Sequence, residues 1–208
     1  MPTDTFFNLS DEKRERIIDA ALKEFANRSY HKSRITAIAD DAGIAKGSFY
    51  QYFEGKKDLF GYIMKLIVKK KFEYINQDMM VNQQKYEFFE LLREMYVSGF
   101  RFAKDNPKLV AIGNKVTSNK DLLREIWGEN KDQGSDFFKQ LLEVGLAKGE
   151  LEPSIDKNLI SKILTTINYS LVDIIYKDGE FDLDDEENIM ETIDEMIDFI
   201  KNGIKLRD

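Results

Sequence analysis

The chain has 208 residues and a net charge of −7, with 42% hydrophobic and 33% charged residues, a composition typical of a globular protein of one or two domains. It contains no cysteine, which excludes disulfides, cysteine-bound zinc and thiol nucleophiles and favours a cytoplasmic location. Neither a basic region followed by an apolar run at the start nor about 18 consecutive apolar residues occurs, so the sequence predicts no secretory signal and no transmembrane helix.

The first predicted element is an amphipathic helix that begins after Ser10 and ends near Asn27. Ser10 is a suitable N-cap, and acidic residues follow it in the first turn. Apolar residues then recur at helical spacing: Ile17, Ile18, Ala21, Leu22 and Phe25. Ser33 can cap a short second helix. Gly43 ends that helix, because glycine readily adopts the positive φ of a helix C-terminus.

The next predicted elements are a third helix over residues 46–52 and a fourth over residues 56–75. Two short helices joined by a four-residue turn with glycine are typical of a helix-turn-helix motif. On the third helix, Phe49 and Phe53 lie four residues apart and mark the face that packs inward. The opposite face carries Lys46, Gly47, Tyr50 and Gln51. A positive charge, an open backbone and two hydrogen-bonding side chains suit a helix presented to the major groove of DNA.

The distribution of charge agrees with this interpretation. Residues 1–72 carry 14 Lys and Arg against 10 Asp and Glu, whereas the remainder carries 17 against 28. A basic first third on an acidic body suggests that the first part meets a polyanion, although chance variation of surface charge accounts for this pattern equally well.

Three segments, IIDAALKEFA, SYHKSRITAIADDAGIAKGSFYQYF and GKKDLF, resemble the TetR/AcrR family of bacterial transcription regulators over roughly residues 12–62. The resemblance implies that residues of the second and third helices contact operator bases and the nearby backbone: Thr36, Lys46, Gly47 and Gln51. It also implies phosphate contacts by Ser48, Tyr50, Tyr52 and Lys56, and we include Ser33 among the DNA-binding residues.

Three residues depart from the family pattern. Ala45 stands where the family often has Ser or Thr capping the third helix, a loss of about 1 kcal/mol in cap strength. Ser29 replaces a glycine that commonly ends the first helix. Glu54 lies beside the predicted contact surface and would repel phosphate if it pointed inward.

The rest of the chain predicts an all-α body. Residues 76–84 are polar and lack helical periodicity, so we interpret them as a junction, and helical patterns continue beyond it. The predicted domains are a helix-turn-helix DNA-binding domain over residues 1–55, a connecting helix over 56–75, and a domain over 76–208. The resemblance implies that this last domain dimerises and binds a small molecule.

Two helices in the last third carry broad apolar stripes. The helices of a single chain cannot easily cover this much apolar surface. The stripes therefore predict a homodimer with a four-helix interface, two helices from each chain. The predicted interface residues are Ile163, Ile167, Leu171, Ile174, Ile193, Ile197 and Ile200.

Aromatic side chains in the body predict an apolar pocket, although core packing explains each of them separately. The candidate pocket residues are Tyr96, Phe100, Trp127, Phe137 and Tyr169. Trp127 and Tyr169 would supply the polar groups. Gly128 and Gly134 weaken the long helix around Trp127. We expect an apolar or amphiphilic effector that carries at most one charge, because the body is acidic.

The sequence predicts no enzyme, no cofactor and no metal site. His31 is the single histidine, so no catalytic triad and no usual transition-metal site can be assembled. The acidic loop at residues 178–187 does not match an EF-hand and is interpreted as solvated. Two alternatives to a ligand-controlled repressor stay open: a helical enzyme or binding protein that retains the module, and a DNA-binding regulator without small-molecule control.

Overall fold

The computed structural model describes residues 1–117, 119, 121–122, 124, 133–175 and 185–204. The predicted all-α fold class is confirmed. The described helices are α1 (Asp4–Phe7), α2 (Asp11–Asn27), α3 (Ile35–Asp41), α4 (Lys46–Tyr52), α5 (Lys56–Glu73), α6 (Gln77–Val81), α7 (Phe88–Asp105), α8 (Pro107–Thr117), α9 (Gln133–Ala147), α10 (Lys157–Ile175) and α11 (Glu186–Ile204). Short 3-10 turns occur at Tyr30–Lys32 and Gln83–Lys85.

The chain forms two compact units. The first unit comprises Met1–Lys70 and Asn106–Lys131, and the second comprises Lys71–Asp105 and Asp132–Asp208. The domain boundaries after residues 55 and 75 stay a prediction. The sequence had placed α8 with the body, whereas its residues group with the first unit, where α8 packs against α2. The Lys115 ammonium of α8 donates hydrogen bonds to the last carbonyls of α2, at Phe25 and Ala26.

The first unit is built around a small apolar core. Its fully buried side chains include Ile17, Phe25, Ile38, Phe49, Phe53 and Leu59. These side chains come from α2, α3, α5 and α4 with its C-cap residue, so the core fixes the four helices against one another. Burying each such side chain contributes about 1.5–3 kcal/mol relative to exposure.

Helix α1 is an element that the sequence patterns did not predict. It is four residues long, and its Phe6 side chain is fully buried, with ring centroids 4.8 Å from Phe53 and 5.4 Å from Tyr62. Thr3 ties this segment to the end of α4, because its amide donates to the Tyr52 carbonyl at 2.9 Å and its hydroxyl to the Gln51 carbonyl at 2.7 Å. The segment before α2 therefore supports α4.

The second unit is organised around α7, which packs against α9, α10 and α11. Helix α7 is buried on most of its circumference, because three helices surround it, and such a helix must be apolar on most faces. Its buried residues are Phe88, Phe89, Leu91, Leu92, Met95, Tyr96, Val97, Ser98, Phe100, Phe102 and Ala103.

Most of the predicted dimer residues lie inside the chain instead. Leu171, Ile193, Ile197 and Ile200 are buried in the core of the second unit, which argues against the prediction that they face a partner. The reason is that the apolar stripe of α11 packs against α7 of its own chain. Ile167 is half-buried against the same core. Only Ile163 is clearly exposed, at 44%, and the side chain of Ile174 lies outside the described residues.

Candidate nucleic-acid interface

The turn between α3 and α4 is fixed by a glycine C-cap. Gly43 has a φ of 67°, and its amide donates to the Asp40 carbonyl at 3.2 Å, while the Ile44 amide donates to the Ala39 carbonyl at 3.0 Å. This pair of hydrogen bonds is the Schellman arrangement, which satisfies the last carbonyls of a helix. The direction in which α4 leaves the turn is thereby set by backbone geometry, as the glycine predicted.

Helix α4 is held by its inward face. The side chains of Phe49 and Phe53 are fully buried, with ring centroids 5.4 Å apart, as the four-residue spacing predicted. Ala45 is the N-cap residue and makes no capping hydrogen bond from its side chain. The position of α4 therefore depends on its aromatic contacts and on the Gly43 turn rather than on a cap.

The outward face of α4 carries the residues that the sequence placed there. Lys46, Gly47 and Gln51 are exposed, and Tyr50 is 51% exposed although tyrosine is a large aromatic residue. Thr36 on α3 is exposed as well, and Ser48 is half-buried. We define the outward surface as Thr36, Lys46, Gly47, Tyr50 and Gln51. It combines one cation, two hydroxyls, an amide and an uncovered stretch of backbone.

Two of the predicted DNA-binding residues, Ser33 and Tyr52, are buried instead. The Ser33 side chain is 4% exposed, and its hydroxyl donates to the Ser29 carbonyl at 2.9 Å. The Tyr52 side chain is also 4% exposed, and it packs near Phe6 with ring centroids 6.4 Å apart. Ser33 closes the turn before α3 and Tyr52 seals α1 to α4, so contacts of these side chains with phosphate would require rearrangement.

The Lys56 side chain forms hydrogen bonds within the chain, and its ammonium is not left free to contact DNA. Its ammonium donates to the backbone carbonyls of Tyr30 at 2.7 Å, Ser33 at 3.0 Å and His31 at 3.3 Å, and it lies 4.7 Å from the centroid of the Tyr30 ring. An ammonium has three donors, and three carbonyls take them. This geometry argues against the phosphate contact that the sequence assigned to the Lys56 side chain.

Exposed cations outside the predicted set surround this region. Lys32 and Arg34 flank the buried Ser33, and both are exposed. Arg34 directly precedes α3, and its amide donates to a Glu24 carboxylate oxygen at 3.0 Å. Neither residue was among the predicted DNA contacts, although their alternation with Ser33 could have indicated side chains that point outward. Glu54 is exposed, as expected from its position beside the surface.

The second unit contains a small apolar cleft with about 240 Å³ of unfilled space, part of it open to solvent. It is lined by Ile75, Met79, Met80, Gln83, Leu91, Glu94, Met95, Phe137 and Leu141. Of the predicted pocket residues that the structure describes, only Phe137 lines it. Tyr96 and Phe100 are packed in the core. Trp127, Gly128 and the Tyr169 side chain lie outside the described residues, whereas Gly134 is the second residue of α9.

Comparison with known proteins decides the family. The family model of bacterial regulatory proteins of the tetR family matches residues 17–63, which span α2 to the first turns of α5. A TetR family transcriptional regulator from Chloroflexus aurantiacus J-10-FL is 30% identical, with both chains covered to 100% and a TM-score of 0.72. The chain belongs to the TetR family of bacterial transcription regulators. The family that the sequence motifs indicated is thus confirmed.

Two further relatives cover most of the chain. The fatty acid metabolism regulator protein of Bacillus subtilis (strain 168) is 26% identical over 169 residues, which are 81% of this chain and 86% of that protein. The transcriptional regulator FadR from Bacillus subtilis, solved in complex with stearoyl-CoA, is 23% identical, with 86% of this chain and 96% of that chain covered and a TM-score of 0.66. The latter likeness shows that the TetR fold extends through the body.

No described helix combines the length and apolar character needed to cross a membrane. No three His, Asp or Glu side chains in the described ranges are grouped so that they could bind a metal ion.

Proposed function

We propose that this TetR family regulator is a repressor that binds a palindromic operator as a homodimer and is released by a small amphiphilic ligand. The observation that carries the proposal is the outward surface on α3 and α4. Phe49 and Phe53 hold α4 rigidly, while Lys46, Tyr50 and Gln51 face outward. Lysine suits phosphate, and glutamine can bond an adenine edge through both ends of its amide.

We propose that phosphate contacts come from exposed cations rather than from Lys56. Lys46 lies at the start of α4, and Lys32 and Arg34 lie in the turn before α3; all three are exposed. Neutralising phosphates releases counterions, so this set would give a steep dependence of affinity on salt. Ser48 and Tyr50 would add hydrogen bonds to the same backbone.

A homodimer is supported by apolar side chains that the chain leaves exposed near its end. Phe199 on α11 is 80% exposed, and Leu159 and Ile163 on α10 are 55% and 44% exposed. We propose these three residues for the interface in place of the predicted Leu171, Ile193, Ile197 and Ile200. An isologous pair would place two copies of α4 about one DNA turn, roughly 34 Å, apart.

Control by an acyl ligand is supported by the cleft and by the relatives. The cleft is lined by apolar residues that include Met79, Met80 and Met95, and methionine side chains repack readily around a ligand. One relative regulates fatty acid metabolism by its name, and another was solved with stearoyl-CoA. We therefore propose a fatty acyl compound. A ligand of this kind releases operator only by its differential affinity for the two states.

A paired titration tests the proposed function. A labelled duplex from the region upstream of the gene is bound to the protein, and an acyl compound is added while anisotropy and the fluorescence of Trp127, the single tryptophan, are recorded. We expect release of the duplex and a change in emission over the same range of ligand concentration. Ligand binding without release would contradict control by this ligand, and absence of duplex binding would contradict the repressor itself. We propose no catalytic activity.

A further inference from the structure

A half-buried lysine in the second unit has no carboxylate partner among the described residues. The Nζ atom of Lys71, near the end of α5, donates to Oδ1 of Asn168 on α10 at 2.8 Å. Among the described residues Lys71 forms no ion pair. Burial of the ammonium lowers the pKa of Lys71 to about 8. A buried cation with one neutral acceptor is costly, because an ammonium has three donors and its charge is uncompensated.

The amide of Asn168 is incomplete on its other side. Its Nδ2 is buried and has no hydrogen-bond partner among the residues that the structure describes. The orientation of the amide is fixed by chemistry, because an ammonium can only donate and the atom that faces Lys71 must be the oxygen. A buried donor without a partner is unfavourable, because it has lost its hydrogen bonds to water and gained none in return. Lys71 and Asn168 together thus present positive charge and an unused N–H donor in one place.

Tyr96 is not the missing counter-ion. Its side chain is fully buried, and burial raises the pKa of the hydroxyl, so the tyrosine stays neutral. Its hydroxyl donates toward the Leu164 carbonyl at 3.4 Å. Tyr96 therefore supplies no negative charge to the core of the second unit.

The face of α7 beside the amide carries a glycine. Gly99 has no side chain, and a Cβ built there would lie 3.8 Å from Nδ2 of Asn168. One helical turn earlier on α7, roughly 5.4 Å away, Met95 lines the apolar cleft. Ile75 also lines the cleft, four residues after Lys71. Lys71 and Gly99, the α7 residue beside the Asn168 amide, are thus each four residues away from a residue that lines the cleft.

We propose that Lys71 and Asn168 bind the carboxylate of an apolar acid whose hydrocarbon chain occupies the cleft. One carboxylate oxygen would accept from the Lys71 ammonium and the other from Nδ2 of Asn168, which supplies the missing charge and the missing acceptor together. The cleft has no room for a hydrocarbon chain in this structure, so the flexible methionine side chains that line it would have to move. The proposal rests on the proposed function, and it specifies the head group of the effector.

Calorimetric titration of the full-length protein with two probes of equal chain length tests this assignment. Dodecanoate carries the carboxylate, and methyl dodecanoate does not; both are used below micelle-forming concentrations. Dodecanoate is expected to bind at least about tenfold more tightly, the ratio given by one charge-assisted hydrogen bond. Equal affinities for the two probes would overturn the proposal.

Variants locate the carboxylate. Lys71→Met removes the charge with little loss of packing and should abolish the preference for dodecanoate over its ester. Asn168→Asp supplies an internal carboxylate to Lys71, so it should expel dodecanoate while the ester still binds. Lys70→Met changes an exposed neighbour and serves as the matched control, with an unchanged preference. A preference that survives both Lys71→Met and Asn168→Asp would overturn the assignment to this pair.

Two further arms separate this inference from the proposed function. If dodecanoyl-CoA loses as much affinity as dodecanoate in Lys71→Met, the pair recognises the thioester or the nucleotide, and the carboxylate assignment is overturned. If methyl dodecanoate releases the operator and dodecanoate does not, the proposed repressor function stands and the carboxylate site is overturned. Dodecanoate binding that depends on Lys71 but leaves the operator bound would support the site and contradict ligand control.

Discussion

The Lys56 ammonium lies 2.7 Å from the carbonyl oxygen of Tyr30 and thereby joins the first residue of α5 to the turn that precedes α3. The same ammonium bonds the carbonyls of His31 and Ser33. The family resemblance implied that the Lys56 side chain contacts DNA. In the structure this side chain instead links two parts of the helix-turn-helix unit. The contribution of Lys56 to the free energy of unfolding can be measured without DNA, separately from any contribution to DNA binding.

The first prediction is that Lys56→Met destabilises the first unit. Three carbonyls lose a charged donor, so the free energy of unfolding should fall by about 1–3 kcal/mol. Lys57→Met, which changes the exposed neighbour, should stay within about 0.5 kcal/mol of wild type. Urea unfolding monitored by circular dichroism measures both. Equal stability of the two variants would show that the Lys56 hydrogen bonds add nothing.

The second prediction is that Gly47→Ala changes stability and DNA affinity in opposite directions. Alanine should stabilise α4 by up to about 1 kcal/mol, since a Cβ at Gly47 would meet nothing within 4 Å in the free protein. The same methyl group would hold the backbone away from DNA, so operator affinity should fall. Gly61→Ala in α5, where a Cβ also meets nothing, is the control: its gain in stability should leave operator affinity unchanged.

The third prediction concerns the two kinds of contact on α4. Lys46→Ala should weaken binding to all duplexes and reduce the slope of log affinity against log salt by about 1. Gln51→Ala should leave the slope unchanged and relax the preference at one base pair by about 1–3 kcal/mol. Anisotropy titrations at several salt concentrations distinguish the two effects. A change of slope in Gln51→Ala with preserved base preference would reverse the roles assigned here.

The fourth prediction concerns assembly. Phe199→Glu should convert the dimer to a monomer at micromolar concentration, because it places a charge in the proposed apolar interface. Val81→Glu is a matched control, since Val81 on α6 is 79% exposed and Phe199 is 80% exposed. Sedimentation should show a dimer for the control. A dimeric Phe199→Glu would exclude Phe199 from the interface.

The fifth prediction concerns the dependence of stability on pH. The pKa of Lys71 is lowered by burial from 10.5 to about 8, so between these values the unfolded chain binds a proton that the folded chain has released. The free energy of unfolding of wild type should therefore rise relative to Lys71→Met as the pH increases from 8 toward 10.5. Below pH 8 the full cost of the buried charge remains. Urea unfolding across this range checks the sign, and a constant difference would contradict it.

The sequence predicted what depends on neighbours along the chain. The Gly43 turn and the Phe49–Phe53 spacing are local, so α3, α4 and their inward faces could be assigned from residues alone. The partners of Lys56 lie 23 to 26 residues away, and no local pattern indicates which carbonyls will meet an ammonium. Periodicity likewise showed that α11 has an apolar face. It could not show that α7 of the same chain covers Ile193.

The most direct test of the account is binding of the protein to a labelled duplex from the region upstream of its gene, compared with a shuffled duplex of equal composition. Anisotropy titrations at one fixed physiological salt concentration give both dissociation constants. The account predicts that the native duplex binds at least about 10³-fold more tightly than the shuffled one, and that Gln51→Ala narrows this ratio. Equal affinity for the two duplexes would contradict the claim that α4 reads an operator.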